Sequence, residues 1–248
     1  MRIGIVGASG AVGAEIIKIL EERKFKVSSL SLFGSRRSAG KYLLFKKKRI
    51  KIKQLEKKSL KNLDLIFFSA GAEISKKFAH IATSNGAIVI DNSSAFRMDS
   101  GVPLIIPEIN PKDIKKIRNG IVANPNCTTV ISLMAIKPLH SLSRIDRVVA
   151  TSFQSVSGAG ARGMQELIEN TKNLLHNRKK FKNVVFEREI AFNVIPKIGD
   201  ITANLYSQEE MKLHNESRKI LSDNKINFTA TTVRVPVLRS HSISLNIE

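Results

Sequence analysis

The chain has 248 residues, 42% of them hydrophobic, with a mean hydropathy near zero, which suits one large or two modest cored domains and argues against disorder. Its 41 Lys and Arg against 21 Asp and Glu give a formal net charge of +20, yet the cations are spread along the sequence, only 6% of residues are aromatic and there is no Trp, so no nucleic-acid partner is expected. No apolar run reaches the roughly 18–20 residues of a membrane span, no Cys/His metal spacing occurs, and the single cysteine excludes an intrachain disulfide. A strand predicted from Arg2 leaves no room for a signal peptide, so the expected setting is the cytoplasm, with no membrane partner and no metal.

In chain order, Arg2-Ile3-Gly4-Ile5-Val6 reads as a strand, and Val12, Ile16, Ile19 and Leu20 recur at helical spacing on a segment ending near Arg23. A second strand is expected over 27–33. The apolar runs 64–68 and 87–90 have the length and continuity of strands buried on both faces, with helical periodicity over 74–85 between them. This βαβ rhythm predicts a parallel sheet covered by helices. Residues 101–103 and 107–111 read as ordered loop, 120–123 as a short buried strand and 129–136 as a helix with an apolar face. The rhythm then changes. A strand over 147–153, a helix over 162–175 and a basic loop over 177–182 precede an amphipathic helix over 207–222, on which Met211, Leu213, Ile220 and Leu221 can pack. A long Thr- and Val-rich strand over 227–238 and another over 243–247 complete the chain. The predicted fold class is α/β: a Rossmann-like nucleotide-binding domain over 1–128, followed by an α+β catalytic and dimerisation domain over 129–248.

Gly7-Ala8-Ser9-Gly10-Ala11-Val12-Gly13 follows the first strand and opens the first helix. Gly7 would make the tight turn, Gly10 would let a pyrophosphate approach the backbone, and Gly13 would let the helix pack against the strand. The helix N-terminus suits the anion, so Ser9, Ala11 and Val12 join the three glycines as expected cofactor contacts. The coenzyme is set at the end of the second strand. No carboxylate stands from Phe25 to Gly40 to meet a ribose 2′-hydroxyl; Ser35-Arg36-Arg37-Ser38 stands there instead. Guanidinium and hydroxyl groups suit a 2′-phosphate, which points to NADP through Arg36, Arg37 and Ser38.

The one cysteine lies in Asn124-Pro125-Asn126-Cys127-Thr128-Thr129, where a strand gives way to a helix. A thiol at a helix N-terminus meets unpaired N–H groups and the positive end of the macrodipole, and both favour the nucleophilic thiolate. Cys127 is therefore the candidate nucleophile.

Together with these motifs, the chain carries Asp91-Asn92-Ser93-Ser94-Ala95-Phe96-Arg97, Val102-Pro103-Leu104, Pro107-Glu108-Ile109-Asn110, Gln154-Ser155-Val156-Ser157-Gly158-Ala159-Gly160 and Ala191-Phe192-Asn193-Val194-Ile195-Pro196. Glu209-Glu210-Met211-Lys212 and Val233-Arg234-Val235-Pro236-Val237, leading to His241-Ser242, follow them. In this order and over the whole chain, the set resembles the bacterial aspartate-semialdehyde dehydrogenase family. The resemblance implies NADP-dependent interconversion of aspartyl 4-phosphate and aspartate 4-semialdehyde in lysine, threonine, methionine and diaminopimelate biosynthesis. It further implies that Cys127 expels phosphate to form a thioester, that hydride from NADPH gives a thiohemiacetal, and that His241 is the acid/base.

By the same resemblance Arg234 pairs with the substrate α-carboxylate, Gln154 orients the substrate, and Glu209, or its neighbour Glu210, faces the ammonium group. Arg97 and Lys212 would bind phosphate, Asn126 would help hold phosphate or the oxyanion, and Ser157 and Gly158 would touch the cofactor. A homodimer or homotetramer is implied. His80, His140, His176 and His214 have no partner pattern and are expected to be structural or on the surface. The family pattern continues beyond Glu248 with further strands and a last helix, so the second domain is expected to be incomplete. Two alternatives stand beside this reading. N-acetyl-γ-glutamyl-phosphate reductase shares the chemistry, but its nucleophile motif resembles Pro-Gly-Cys. A non-catalytic remnant would bind NADP or a partner subunit.

Overall fold

A computed structural model describes residues 1–176 and 183–248; the basic loop expected over 177–182, with its Arg178-Lys179-Lys180 cluster, lies outside the described residues. The chain forms two compact units, Met1–Pro125 and Asn126–Glu248.

In the first unit, β1 (Arg2–Val6), β2 (Ser29–Gly34), β3 (Tyr42–Phe45), β4 (Lys48–Gln54), β5 (Leu65–Phe68), β6 (Ile88–Asp91) and β7 (Ile121–Ala123) form one sheet in the order β3-β4-β2-β1-β5-β6-β7. All pairs are parallel except β3 with β4. After β1 the chain runs outward on one side through β2 and then returns to β5 on the other side of β1. This reversal leaves a crevice beyond the carboxyl ends of β1, β2 and β5, the usual ligand position in such sheets. Ile3, Ile5, Ile66, Val89 and Ile121 have no exposed surface, consistent with strands covered on both faces.

The helix α1 (Ala11–Glu22) buries Gly13, Ile17 and Leu20. The expected stripe included Val12 and Ile19, but they are 49% and 44% exposed. The inward face is led by Gly13, whose missing Cβ lets the helix lie close to the backbone of residues 7 and 8. The second strand begins at Ser29 instead of residue 27. The hairpin β3–β4 is not foreshadowed by the sequence. Its two loop residues, Lys46 and Lys47, both have positive φ (48° and 64°), the signature of a tight I′ turn that Asn-Gly usually makes. The basic run 46–49 is thus a turn and the start of β4. The helix α2 (Ala72–Ser84) covers β5 and β6.

In the second unit, α3 (Cys127–Leu142) starts two residues before the expected 129 and runs past Pro138. It starts early because Asn126 caps it: the side-chain Oδ1 accepts N–H groups from Thr128 at 2.9 Å and Thr129 at 3.4 Å. The strand β8 (Arg147–Gln154) is followed by α4 (Gly160–Leu175), α5 (Gln208–Leu221), β9 (Asn227–Arg234) and β10 (Ser242–Ile247). β8 is central, parallel to β9 and antiparallel to β10. β9 ends at Arg234, four residues short of the expected strand, just before Pro236, which cannot donate to a ladder.

Ser207 and Glu210 close a capping box at the start of α5. The inward face of α5 carries Glu209, Leu213, Glu216, Ser217 and Ile220. Two carboxylates on a buried face need partners, and those partners form the site. Among the described residues no helix is long and apolar enough to cross a membrane, and no His/Cys/Asp/Glu group has a metal-ligand arrangement.

Candidate active site

Cys127 is the first residue of α3, and its thiol is exposed. Its Sγ lies 3.2 Å from Nε2 of His241 and 3.9 Å from Oγ1 of Thr128. His241 enters from the residue before β10. Burial pushes its pKa below the usual imidazole value, the nearby Arg234 guanidinium pushes it further down, and Glu209 opposes both. The net effect favours the neutral imidazole.

Gln154, at the end of β8, is 1% exposed and donates through Nε2 to Thr128 Oγ1 at 2.9 Å and Glu209 Oε1 at 3.3 Å. Glu209 Oε1 also accepts from Asn126 Nδ2 at 2.9 Å, and its other oxygen accepts from Lys212 Nζ at 2.9 Å. Burial by itself raises the Glu209 pKa, but Lys212 and the donors Asn126 and Gln154 outweigh it and hold the carboxylate ionised below its ordinary range. Glu210 faces elsewhere: its oxygens accept from the Ser207 and Thr232 backbone N–H groups. Of the two neighbours, Glu209 is the one in the cluster.

Arg234, the last residue of β9, is 7% exposed. It donates to the Ser155 carbonyl at 2.8 Å, and its guanidinium lies 5.9 Å from the Phe186 ring. Burial lowers its pKa against the pull of Glu209 and Cys127. A Cβ on Gly158 would come within 2.8 Å of Arg234 Nη1, so glycine leaves room for the guanidinium. Asn126, Cys127, Gln154, Glu209, Lys212, Arg234 and His241 thus form one connected cluster in the second unit, with Ser157 and Gly158 at its edge. Chemically it offers a nucleophile beside an imidazole, a fork for a carboxylate, and an anionic group.

The remaining predicted residues belong to the first unit. Arg97 is 7% exposed; its Nε and Nη2 donate to the carbonyls of Asn124 at 2.9 Å and Asn92 at 3.1 Å, bracing the stretch that ends this unit. At the sheet's crevice a cavity of about 430 Å³ is lined by Gly7, Ser9, Gly10, Arg36 and Ser38, among others. Gly7 has φ +87°, and a Cβ there would sit 2.7 Å from the Ser69 carbonyl oxygen. A Cβ on Gly13 would lie 2.4 Å from the Gly7 oxygen, so Gly13 packs the helix and does not line the cavity. Nor do Ala11, Val12 and Arg37 line it; of the two arginines, Arg36 does. The cavity has the donor set for the phosphates of a nucleotide cofactor: a glycine turn, a helix start with no acidic residue in its first turn, hydroxyls and a guanidinium.

The chain matches the model described as "Semialdehyde dehydrogenase, NAD binding domain" over residues 2–117 and that described as "Semialdehyde dehydrogenase, dimerisation domain" over 136–248. Aspartate-semialdehyde dehydrogenase from Prochlorococcus marinus is 44% identical over 248 residues, which cover 100% of this chain and 72% of the relative. That from Aquifex aeolicus is 45% identical over 249 residues, with 100% and 73% covered. The chain belongs to the aspartate-semialdehyde dehydrogenase family. A crystal structure of Vibrio cholerae aspartate semialdehyde dehydrogenase II complexed with ASA superposes with a TM-score of 0.97 at 41% identity, covering 100% of this chain and 74% of that one.

Several residues that serve this family member's site went unassigned in the sequence. Glu216 accepts the Asn126 backbone N–H at 2.7 Å; its spacing of seven from Glu209, two helical turns, was the available signal. Ser155 sits inside a quoted motif without a role. Lys77 lines the nucleotide cavity from α2, with Ile74 and Phe78 at helical spacing. The four other histidines have local contacts: His80 meets the Phe96 ring edge-on, His140 accepts from Ile145 N, and His176 and His214 bond backbone carbonyls through Nδ1.

Proposed function

We propose that the chain catalyses the reversible, NADP-dependent conversion of L-aspartyl 4-phosphate to L-aspartate 4-semialdehyde and phosphate, through a thioester on Cys127. The observation that carries this reading is the 3.2 Å approach of Cys127 Sγ to His241 Nε2 at the start of α3, with Arg234 held beside them.

The Cys127 sulfur attacks the acyl carbon, the bond from that carbon to the phosphate oxygen breaks, and inorganic phosphate departs. NADPH, when bound, supplies the hydride that reduces the acyl group. His241, in its protonated form, gives its Nε2 proton to the oxygen of the resulting thiohemiacetal and takes it back as the carbon–sulfur bond breaks, releasing aldehyde and thiolate. Arg234 grips the α-carboxylate with its two-pronged guanidinium. Glu209, held ionised, attracts the α-ammonium group, and Gln154 sets the carbon chain. Lys212 and Arg97 attract the phosphate. Gly7, Ser9, Gly10, Arg36 and Ser38 hold the coenzyme in the first unit, and the cationic, carboxylate-free lining favours the 2′-phosphate of NADP over NAD. We further propose that the step serves amino-acid biosynthesis in the cytoplasm and is carried out by a homo-oligomer, a reading supported by the match to the dimerisation domain.

The decisive experiment is Cys127→Ser assayed in the oxidative direction with semialdehyde, phosphate and NADP. Turnover should fall by at least about a thousandfold while NADP binding is retained. Normal turnover in that variant would falsify the thioester route. Efficient reduction of an N-acetylated acyl phosphate in place of aspartyl phosphate would reassign the substrate.

A further inference from the structure

Ser155 has no exposed surface and touches both Arg234 and His241. Its carbonyl accepts from Arg234 Nη1 at 2.8 Å, and its backbone N–H donates to His241 Nδ1 at 3.0 Å. Its hydroxyl oxygen lies 3.0 Å from the same Nδ1 and 2.8 Å from Ser157 Oγ. A backbone N–H can only donate, so Nδ1 of the neutral ring bears the lone pair and the ring hydrogen sits on Nε2, facing Cys127. The neutral imidazole is therefore set as a donor toward the sulfur and the reacting oxygen.

A proton arriving at the ring must bind Nδ1, opposite that N–H. Of the two Ser155 groups on Nδ1, only the hydroxyl can accept a hydrogen, and Ser157 Oγ can receive the hydroxyl's own hydrogen in turn.

We infer that Ser155 is the positioning residue for His241. Its N–H fixes the Nε2–H tautomer, and its hydroxyl switches from donor to acceptor when the imidazole is protonated. The inference rests on the roles given to Cys127 and His241 above. When the imidazolium gives its Nε2 proton to the reacting oxygen, the hydrogen on Nδ1 stays on the ring, held by the Ser155 hydroxyl as acceptor, while that hydroxyl donates in turn to Ser157 Oγ; Nε2 takes its proton back in the next step with no other bond changed. The charged and titratable groups facing the ring are Cys127 on α3, Arg234 on β9 and Glu209 on α5. None of them contacts Nδ1 in the way Ser155 does.

The test is a pH titration of the full chain labelled with ¹⁵N-histidine, with His241 assigned by His241→Asn. At high pH the wild-type signals should show hydrogen on Nε2 and none on Nδ1. Among the described residues the Ser155 hydroxyl is the acceptor seen at Nδ1, and Ser155→Ala removes it, so the His241 midpoint should fall by about one pH unit, the size of one hydrogen bond to a charged group. Ser155→Thr should restore it, and Ser157→Ala should shift it the same way by less. An Nδ1–H tautomer in the wild type, an unmoved midpoint in Ser155→Ala, or a Thr variant shifted as far as the Ala variant overturns the inference. Should Ser155→Ala fail to fold by circular dichroism, an unmoved midpoint in Ser157→Ala overturns it. This readout needs no turnover, so an active Cys127→Ser enzyme would sink the proposed function and leave the titration to be judged by itself.

Discussion

Glu216 accepts the backbone N–H of Asn126 at 2.7 Å, so a buried carboxylate on α5 holds the residue that caps α3 and precedes the nucleophile. Glu216→Ala leaves that buried N–H without its partner, and the expected loss of stability is about 1–3 kcal/mol. Urea unfolding measures it. Activity should fall further than the folded fraction does, because the turn bearing Cys127 loses its anchor; activity that tracks the folded fraction alone would confine Glu216 to a structural role.

The Glu209–Lys212 pair makes stability depend on pH in a defined sense. Lys212 and the donors Asn126 and Gln154 depress the Glu209 pKa despite burial. A depressed carboxyl stabilises the fold above the unfolded-state value, and that contribution disappears as pH falls through the folded-state value. Lys212→Met removes the chief opposing charge, so the variant should be less stable than wild type near neutral pH. The gap should narrow on acidification. Denaturant midpoints at neutral and acid pH would show this, and a gap that widened in acid would refute it.

Coenzyme choice should separate the two arginines after β2. Arg36 lines the nucleotide cavity and Arg37 does not. Arg36→Ala should weaken NADP binding by about tenfold with little change for NAD, as expected for one partly solvated charge-assisted contact to a 2′-phosphate. Arg37→Ala should have a much smaller effect. Isothermal titration with both coenzymes decides it, and equal losses for NADP and NAD would place Arg36 elsewhere.

Gly158 should behave as a substrate-specificity residue. The added methyl of Gly158→Ala comes within 2.8 Å of Arg234 Nη1, so the guanidinium must leave the Ser155 carbonyl. Arg234→Lys keeps the charge and loses the planar fork. Both variants should raise the semialdehyde KM by roughly tenfold or more and leave the phosphate KM nearly unchanged. Steady-state kinetics with the two substrates varied independently would test this; a change confined to the phosphate KM would exchange the roles of Arg234 and Arg97.

The regular parts of this fold were legible because their signals are local. The buried strands of the first sheet announce themselves as continuous apolar runs, and the glycine turn follows β1 as the topology requires. The hairpin β3–β4 escaped because its turn uses Lys46 and Lys47 at positive φ, where composition signals only charge. The buried face of α1 was misjudged by one position because the glycine that leads it contributes no hydrophobicity. The spacing of Arg234 and His241 could be read from the chain, since both flank one turn between strands. The partnership of Glu216 with Asn126 spans 90 residues and exists only once α5 packs against α3. Ser155 acts largely through its backbone, which no side-chain pattern can reveal.

The amide of Asn126 has both of its ends committed: Oδ1 caps α3 and Nδ2 donates to Glu209. Hydrolysis of that amide during storage would leave an aspartate, which caps a helix as well as asparagine does. It would also replace a donor with a second carboxylate against Glu209, where like charges repel. Ageing at this one bond would therefore silence the site and leave the helix intact. A stored preparation should lose activity in step with deamidation measured by peptide mass spectrometry, ahead of any change in its circular dichroism.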